Sequence, residues 1–476
     1  MPAQAKRVSI PFANQYGERA AKTVSTERLV NWYADKVETH GKPRFVLQQR
    51  PGLNTVSTIG TGPHRRSMEH AGVMYLVSGG SVYSVNTAET ATFIASINTH
   101  TGRVGMASNG TQLIIVDGAD GWLYNSVTMV WSQITDVDFV DARQVVFFHG
   151  RFVVIKPNTG EFYISGLYDG ATWTALDFAN AEVDPDNLKA LNVLHQELWL
   201  LGDYTTQIYV DTGNPVFPYE PQPGGMIEWG IAAQWTAVKG DNTLFWLAKT
   251  RDGHGSVIKA TGYSPAVISS DALEEAIGRY SRIDDAFAFV MKPNDKNLWY
   301  VLTFPTANVT WVFDAATSLW HQWSSYGVGR FKGATHCFFN TRHYIGSDTD
   351  GTLYRLEATA FKDGTDPLER LASGVHTGND QNMVFWHGLE VLFDAGVGLA
   401  TGQGSDPQAM LRWSDDGGYT WSNSHWRSIG KLGEYSHRAI WRRLGRSRHR
   451  VFELTVTDPV NATVVGLYAQ ISTGVD

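Results

Sequence analysis

The chain has 476 residues and a formal net charge of −8, so it exceeds what one hydrophobic core usually supports and we expect more than one domain. The acidic balance argues against a general nucleic-acid binder, and the single cysteine, Cys337, excludes internal disulfides and most cysteine-based metal sites. No apolar run is long enough to cross a bilayer and the first residues have no apolar signal core, so we expect neither membrane insertion nor secretion. We expect Cys337 to be a buried structural thiol.

Residues 1–60 differ from the rest of the chain. Residues 26–35 fit a short helix or a strand, whereas residues 42–53 alternate like a strand that stops at Pro51 and Gly52. We expect this segment to be an N-terminal arm that packs against the following domain or against a neighbouring subunit. Trp32 and Tyr33 are expected to serve packing, with no chemical role.

A hairpin pattern repeats through residues 61–361. Each unit has a small turn, an apolar run rich in β-branched and aromatic residues, a turn rich in Asp and Gly, and a second apolar run, as in residues 109–125. Seven units recur at intervals of roughly 40 to 55 residues, the length of a four-stranded propeller blade. The sequence therefore predicts an all-β protein with a β-propeller of about seven blades. Six or eight remain possible because divergent blades are easily missed.

Three features stand out within the repeats. Residues 214–225 contain four prolines and predict a stiff projecting loop, which is either a docking loop or an inert insertion. Residues 270–278 predict a short helix that is capped by Asp271 and has Leu273 and Ile277 on one face. The phrases around Trp173 and Trp323 predict outer hairpins that complete two blades.

The repeat is lost in residues 362–476, where separate strand patterns predict a small antiparallel β-domain. One phrase there matches an Asp box, formed by Ser414, Asp416, Gly418, Thr420 and Trp421. The expected structure is a hairpin turn in which Asp416 accepts from turn amides, Gly418 takes a conformation that other residues avoid, and Trp421 anchors in the sheet. This motif indicates a turn and says almost nothing about function.

Positive charge is concentrated in residues 435–450, which hold six arginines, two histidines and no acid. Arginine can fork onto phosphates or onto carboxylates of an adjoining subunit. The stripe is therefore either an interface or DNA-facing surface, or a solvated strand face that bridges local acids. The candidate residues are Arg438, Arg442, Arg443, Arg446, Arg448 and Arg450.

No catalytic, cofactor or metal motif is evident in the sequence. A segment around Asp348 is similar to a calcium loop, but Gly346 stands at its first ligand position, and the histidines lack metal spacing. Sialidase-like glycosidases combine propellers with Asp boxes, but they spread several boxes through the blades. We therefore expect no enzyme activity, cofactor or metal, and keep a carbohydrate-binding propeller of a receptor-recognition device and a sialidase-like glycosidase as alternatives.

Several phrases resemble, in their order along the chain, the tail hub proteins of short-tailed phages, known as packaged-DNA stabilisation proteins. The likeness covers most of residues 25–360 and is weaker toward the C-terminus. The phrases are Glu27-Arg-Leu-Val-Asn-Trp-Tyr-Ala34, Arg50-Pro-Gly-Leu53, Asp169-Gly-Ala-Thr-Trp-Thr-Ala-Leu-Asp-Phe-Ala-Asn-Ala-Glu182, Phe245-Trp-Leu-Ala-Lys-Thr-Arg-Asp-Gly253, Val267-Ile-Ser-Ser-Asp-Ala-Leu-Glu-Glu-Ala-Ile277 and Thr310-Trp-Val-Phe-Asp-Ala-Ala-Thr-Ser-Leu-Trp320.

The resemblance implies a structural protein of the virion tail, assembled in the bacterial host cytoplasm. It implies a propeller-based subunit in a sixfold, hexameric ring below the portal and the adaptor (the head-to-tail connector). That ring extends the DNA channel, retains packaged double-stranded DNA, and carries tailspikes or tail fibres outside and a needle or plug at its tip. It transfers no catalytic residue.

A mostly acidic subunit suits a conduit that DNA must leave, because each phosphate neutralised adds salt-sensitive affinity. The arginine stripe would then contact an acidic neighbour or act as a brake on DNA. Neutralising Arg442, Arg443, Arg446 and Arg448 is predicted to weaken ring assembly or DNA retention.

Overall fold

The computed structural model describes residues 5–12, 15–22, 25–39, 42–181, 186–251, 253, 255–378 and 382–473. Within these ranges every regular element is a strand except one short helix, so the all-β prediction is confirmed. The N-terminal segment contributes β1 (Lys6–Ser9), β2 (Arg28–Val30), β3 (Trp32–Thr39), β4 (Lys42–Gln49) and β5 (Gly52–Thr58). Residues 28–30 and 32–39 are strands, which settles the choice between helix and strand.

Four antiparallel sheets of four consecutive strands follow. Blade 1 comprises β6 (His64–His70), β7 (Val73–Ser78), β8 (Ser81–Val85) and β9 (Ala91–Ser96), and blade 2 comprises β10 (Gly105–Ser108), β11 (Gln112–Val116), β12 (Gly121–Asn125) and β13 (Val130–Gln133). Blade 3 comprises β14 (Val145–Phe148), β15 (Arg151–Ile155), β16 (Glu161–Gly166) and β17 (Asp169–Asn180). Blade 4 comprises β18 (Leu188–Leu194), β19 (Glu197–Gly202), β20 (Thr206–Asp211) and β21 (Tyr219–Ile227).

Three further sheets complete the repeats. In blade 5 the innermost strand is split, and both halves pair with the same neighbour. Blade 5 comprises β22 (Gly230–Ile231), β23 (Val238–Gly240), β24 (Thr243–Lys249), β25 (Ser256–Thr261) and β26 (Ser264–Val267), followed by α1 (Asp271–Gly278). Blade 6 comprises β27 (Phe287–Met291), β28 (Trp299–Phe304), β29 (Val309–Asp314) and β30 (Leu319–Trp323). Blade 7 comprises β31 (Gly333–Phe339), β32 (Arg342–Ser347) and β33 (Thr352–Glu357), with β5 as its outer strand.

The seven sheets close into a ring around one axis. The innermost strands β6, β10, β14, β18, β23, β27 and β31 are neighbours in that order, and β31 returns to β6. A separate apolar cluster fills each gap between adjacent blades, because one sheet cannot bury both faces alone. Between blades 5 and 6, for example, Phe245 stacks on Tyr300 with ring centroids 5.4 Å apart. The sheet order therefore gives a propeller of seven blades.

The C-terminal region forms a β-sandwich. Two short strands at its start, β34 (Lys362–Asp363) and β35 (Asp366–Pro367), still belong to the propeller, because they extend the sheet of blade 7 beyond β5. The strands that this region gives to the sandwich are β36 (Arg370–Ser373), β37 (Thr377–Gly378), β38 (Val384–Phe393), β39 (Gln408–Ser414), β40 (His425–Ser428), β41 (Ala439–Arg442), β42 (Arg446–Ser447), β43 (His449–Val456) and β44 (Val464–Thr473). One sheet has the order β3-β4-β44-β38-β41, with β1 on β44 and β42 on β38; the other contains β2-β36-β43-β39-β40, with β37 on β43. Their shared core includes Trp32, Trp386 and Trp441.

The prediction of a separate N-terminal arm is wrong, because the segment supplies strands to both domains. β5 pairs with β33 and closes the last blade, while β1, β3 and β4 belong to the sandwich. β2 lies between β30 of blade 6 and β36 of the sandwich, so that one continuous sheet of ten strands runs through both domains. Pairing over such sequence distances has no signature in local periodicity, which explains the error.

Two local predictions are corrected by the backbone. Ser270, in an extended conformation, is the N-cap of α1, and its Oγ accepts from the Leu273 amide at 3.3 Å; Asp271 is the first helical residue. Leu273 and Ile277 are both buried, as predicted. Much of the proline-rich stretch is the outer strand β21 and not a projecting loop, because an edge strand has free positions that tolerate proline.

The remaining local predictions agree with the structure. Trp173 lies in β17 and Trp323 in β30, the outer strands of blades 3 and 6. Cys337 is buried in β31, and burial raises the pKa of its thiol to about 12. In the described part of the chain, no helix has the length and apolarity needed to span a membrane.

Candidate interaction surfaces

The Asp box forms the turn between β39 and β40. The Asp416 carboxylate accepts from the Thr420 hydroxyl at 2.6 Å and from the amides of Tyr419 and Thr420 at 3.0 and 2.9 Å. These hydrogen bonds hold the pKa of Asp416 well below its usual range, and the bond from the Thr420 hydroxyl has the largest effect. Gly418 has a φ of 94°, and its amide donates to Ser414 Oγ at 2.7 Å. This network is a self-contained turn.

Trp421, the last residue of the box, is half-buried. The Arg412 guanidinium lies 4.8 Å from the centroid of its ring. The other face of the turn meets the N-terminal segment, where a Cβ on Gly418 would stand 2.7 Å from Thr26 Cγ2. The motif therefore packs the sandwich against the N-terminal segment at Thr26.

Arg450 is a structural residue of the sandwich core. Its side chain is 1% exposed and forms two bonds with the Asp415 carboxylate, at 2.6 and 2.8 Å. Its guanidinium also lies 5.3 Å from the Trp413 ring centroid and 5.5 Å from that of Trp386. A buried arginine cannot reach DNA or a neighbouring subunit, so its inclusion among the interface candidates is wrong.

Arg438 is exposed but paired. Its Nη1 lies 3.3 Å from Glu390 Oε1, and Arg7 of β1 approaches the other oxygen of that carboxylate at 3.1 Å. Glu390, on β38, is itself nearly buried, with 9% of its side chain exposed. Arg438 and Arg7 thus share one carboxylate: Arg7 links β1 to Glu390, and Arg438 bridges a local acid.

Three of the remaining arginines form an exposed patch along one edge of the sandwich. Arg442 ends β41 opposite Gly388, and Arg446 lies in β42 opposite Phe385, so both strands pair with successive parts of β38. Arg442, Arg443 and Arg446 are exposed, and their side chains make no hydrogen bond or ion pair with any residue in the described ranges. We call these three residues the sandwich arginine patch. Arg448 is exposed nearby, between β42 and β43.

A second concentration of positive charge lies on the propeller axis and was missed in the sequence. Two cavities of about 490 and 690 Å³ share Arg103, Trp235 and Ala334 and form one axial channel. The outer cavity is lined by six cationic and three acidic side chains: Arg65, Arg103, Arg143, Lys189, Arg282, Arg330, Asp284, Asp285 and Asp348. A chain with a net charge of −8 thus has a basic axis.

Most cations at the outer end of this channel already have partners. Arg282 Nε lies 2.6 Å from Asp284 Oδ1, and Arg330 pairs with Asp348. Arg65 is nearly buried and donates to the backbone carbonyls of Gly102 and Thr99 at 2.6 and 2.7 Å. These contacts are made to residues close in the chain or to loop carbonyls at the channel mouth, and they compensate most of the positive charge there.

The inner cavity differs, because arginines line it without acids. Arg66 of β6 and Arg103, just before β10, both line it, together with Lys239 and His336. Arg103 donates from Nη2 to the Ala334 carbonyl at 2.6 Å and lies 3.6 Å from the Phe287 ring centroid. Burial, followed by the positive charge of Arg66, lowers the pKa of Arg103 to about 9. Burial also lowers the pKa of Arg66.

These axial residues carried a signal that was readable in the sequence. The six cations of the outer cavity each stand before, or early in, the innermost strand of their blade, so they recur with the blade period except in blade 5. An alignment of the repeats would have placed them in one column.

Among the described residues, no group of three or more His, Cys, Asp and Glu side chains could hold a metal ion.

Family comparison agrees with this architecture in both domains. The family model described as "Bacteriophage P22 Gp10, beta-propeller" matches residues 8–361, and the one described as "Bacteriophage P22 Gp10, beta-sandwich" matches residues 369–472. The chain belongs to the bacteriophage P22 Gp10 family. This is the tail hub, or nozzle, family that stabilises packaged DNA, so the resemblance seen in the sequence is confirmed. Curated protein sequences give no significant match.

Solved structures that resemble the Gp10-family chain share little sequence with it. The N-terminal domain of Nup159 is 8% identical, with a TM-score of 0.43, over 70% of this chain and 99% of that one. YCF48 bound to D1 peptide is 14% identical, with a TM-score of 0.41, over 73% and 99%. An extracellular domain of BT4673 from B. thetaiotaomicron is 9% identical, with a TM-score of 0.46, over 84% and 57%. At this level of similarity we transfer no function.

The Gp10 family is a structural phage family and implies a component of the virion tail. It also favours a non-enzymatic role. The features described above are accordingly read as surfaces for contact: the sandwich arginine patch on one edge of the β-sandwich, and the axial channel in the propeller.

Proposed function

We propose that this Gp10-family protein forms a hexameric ring below the portal and the adaptor, where it extends the DNA channel and helps to retain packaged double-stranded DNA. In this proposal the ring also anchors tailspikes or tail fibres on its outside and a needle or plug at its tip. Subunits are made in the bacterial host cytoplasm and join the virion tail there. The observation that carries the proposal is the family match over both domains.

The way the two domains are joined supports a mechanical role. β2 continues the sheet of blade 6 into the sandwich, and the β3–β4 hairpin leads directly into the outer strand of blade 7. Hydrogen-bonded sheets that cross a domain boundary resist hinge motion, unlike the polar interfaces that usually separate domains. Partner surfaces on the propeller and on the sandwich are therefore held at fixed positions, as a ring component requires.

Ring formation is the first test. The purified chain is mixed with purified adaptor rings and examined by mass photometry and electron microscopy. We expect discrete complexes with one size of ring on each adaptor. A chain that stays monomeric at all adaptor concentrations, although correctly folded by circular dichroism, would count against the tail hub function.

The sandwich arginine patch is the part of the surface best suited to an acidic neighbour or to DNA. Three unpaired guanidinium groups on a sheet edge can each take a carboxylate or a phosphate in a bidentate fashion. Charged edges also prevent unwanted strand pairing, so the patch has a structural alternative. Contact with a partner and prevention of strand pairing are distinguished by removing the charge of the patch and measuring ring assembly and DNA binding.

The patch is tested by replacing Arg442, Arg443 and Arg446 with Gln. If the patch contacts an acidic neighbour, ring assembly weakens; if it contacts DNA, the slope of log binding constant against log salt falls by about 0.9 per lost phosphate contact. The control carries Gln at three exposed lysines, Lys36, Lys362 and Lys431, and changes net charge equally. Normal rings, DNA retention and salt slope in the arginine variant would remove the proposed role.

The alternatives raised by the sequence gain no support from a specific observation. The Asp box lies in the sandwich, outside the propeller blades in which sialidase-like glycosidases carry theirs. Binding to a glycan array would favour the carbohydrate-binding alternative, and turnover of a sialoside would favour the glycosidase. Neither is needed to account for the family or for the two-domain architecture.

A further inference from the structure

The inner cavity of the axial channel is a positively charged space between the blades. It measures about 490 Å³ and is bordered by the innermost strands of the propeller. Among its described lining residues there are two arginines and a lysine but no aspartate or glutamate. Positive charge in a partly desolvated cavity is costly unless an anion accompanies it.

Arg66 is the uncompensated charge in this cavity. Within the described ranges its guanidinium has no hydrogen bond or ion pair, although it is only partly exposed. Arg66 lies in β6 opposite Val77, next to a register shift between His64 and Arg66. Surface arginines usually extend into water, whereas Arg66 lines the same cavity as Arg103 of the adjacent blade, near enough for its positive charge to lower the pKa of Arg103.

Arg103 is held in a fixed orientation. One nitrogen, Nη2, donates to the Ala334 carbonyl, and the guanidinium plane lies over the Phe287 ring. These contacts join the beginning of blade 2 to blades 6 and 7 across the channel. The remaining N–H groups of Arg103 are available to a ligand in the cavity, because a guanidinium carries five donors.

We propose that the axial cavity binds one small tetrahedral oxyanion, of the phosphate or sulfate class, between Arg66 and Arg103. Two guanidinium groups offer paired N–H donors that match the oxygens of such an anion, and its charge offsets their mutual repulsion. Bound there, the anion bridges blade 1 and blade 2 near the point where the propeller ring closes. This site goes beyond the tail hub function and does not depend on it.

Binding is measured on the intact chain after exhaustive dialysis into a chloride buffer. Inorganic phosphate is titrated by isothermal titration calorimetry, and the melting temperature is recorded at constant ionic strength. The chain is expected to bind one phosphate per molecule and to melt at a temperature that rises saturably with phosphate. Selenate soaked into crystals should give an anomalous peak between Arg66 and Arg103.

Arg66→Met keeps the aliphatic stem and removes the charge. We expect it to weaken phosphate binding at least about tenfold, the loss of a charge-assisted bidentate contact. In chloride alone it should melt no lower than the unsubstituted chain, because it removes a like-charge neighbour of Arg103. Arg66→Lys should retain part of the binding. Arg442→Met, on the sandwich arginine patch, is the control and should bind phosphate normally.

Sulfate and phosphate stabilise many proteins by exclusion from their surface. Comparison of Arg66→Met with Arg442→Met distinguishes this general salt effect from binding in the cavity. An equal rise in melting temperature for Arg66→Met and for the unsubstituted chain would overturn the proposal. Absence of calorimetric binding, a selenate peak elsewhere, or loss of binding in Arg442→Met would do the same.

Discussion

Arg50 and Asp363 form a fully buried ion pair between segments 313 residues apart in the chain. Arg50 joins the sandwich strand β4 to the propeller strand β5, and Asp363 lies where the chain leaves the propeller. Arg50 also donates to Asn31 Oδ1 at 2.8 Å and to the Ser324 carbonyl at 3.1 Å. The pair therefore ties the N-terminal segment, blade 6 and the interdomain connection at one point.

Removal of one partner of this pair is expected to destabilise the protein strongly. Arg50→Met leaves the Asp363 carboxylate buried without its counter-charge, which costs about 3–5 kcal/mol. Chemical denaturation followed by tryptophan fluorescence measures the loss. The double variant Arg50→Met/Asp363→Leu should lose less than the sum of the two single variants, because no charge remains buried. Additive losses would show that the two side chains act independently.

The Asp-box turn requires glycine at position 418 for two reasons. The φ of 94° strains any other residue, and an added Cβ would stand 2.7 Å from Thr26 Cγ2. Gly433 has a φ of 85° with no atom within 4 Å of such a Cβ, so Gly433→Ala reports strain alone, about 1–2 kcal/mol. We expect Gly418→Ala to lower the free energy of unfolding more than Gly433→Ala. Equal effects would mean that the contact with Thr26 is unimportant.

His321 should make stability depend on pH. It is 2% exposed in β30, its Nε2 accepts from Trp323 Nε1 at 3.2 Å, and burial lowers its pKa to about 3. Below about pH 6.5 His321 is protonated in the unfolded chain but stays neutral in the folded chain. The free energy of unfolding therefore decreases as the pH drops toward 3, and the contribution of neutral His321 is complete above about pH 6.5. This histidine should remove about 2 kcal/mol of unfolding free energy between pH 7 and 5.

The measurement is urea denaturation at pH 7, 6 and 5. His321→Gln keeps an acceptor for Trp323 but does not titrate, so its stability should fall less over this range. His387→Gln, at an exposed position, is the matched control and should follow the unsubstituted chain. The idea fails if both variants show the same pH dependence as the parent.

Arg450 and Arg446 should respond to substitution in opposite ways. Arg450→Met removes two partly buried, charge-assisted bonds to Asp415 and should cost about 1.5–3 kcal/mol of stability. Arg446→Gln, at an exposed position, should stay within about 0.5 kcal/mol of the parent. Only Arg446→Gln should weaken ring assembly or DNA retention, assayed in reconstituted tails. An assembly defect in correctly folded Arg450→Met alone would reverse the assignment.

The parts of this fold that are local could be predicted from the sequence. The hairpins of the blades were readable because each one is complete within a short window, with glycine and aspartate at the turn and β-branched residues on either side. The helix was located for the same reason, although its cap was misplaced by one residue. Ser270 and Asp271 are both good caps, and only the extended backbone of Ser270 decides between them.

The parts that depend on distant segments could not be predicted. No pattern within residues 52–58 indicates that they pair with residues 352–357, yet this pairing completes blade 7. Arg450 follows exposed His449 and begins a run of buried residues in β43, and this burial is set by a core that the sequence does not reveal. The axial arginines were overlooked because a charge search along the chain detects clusters in sequence, and these residues meet only when the ring closes.

Closure of the propeller by β5, together with the pairing of β1 and β44, sets an order for biosynthesis. The early strands β1, β4 and β5 emerge from the ribosome long before their late partners, which are β44 for β1 and β4 and β33 for β5. Until then they present unpaired edges that invite aggregation or binding by chaperones. Translation products that stop before β44 leave the edges of β1 and β4 unpaired, and we expect such products to be more prone to aggregation than the full chain.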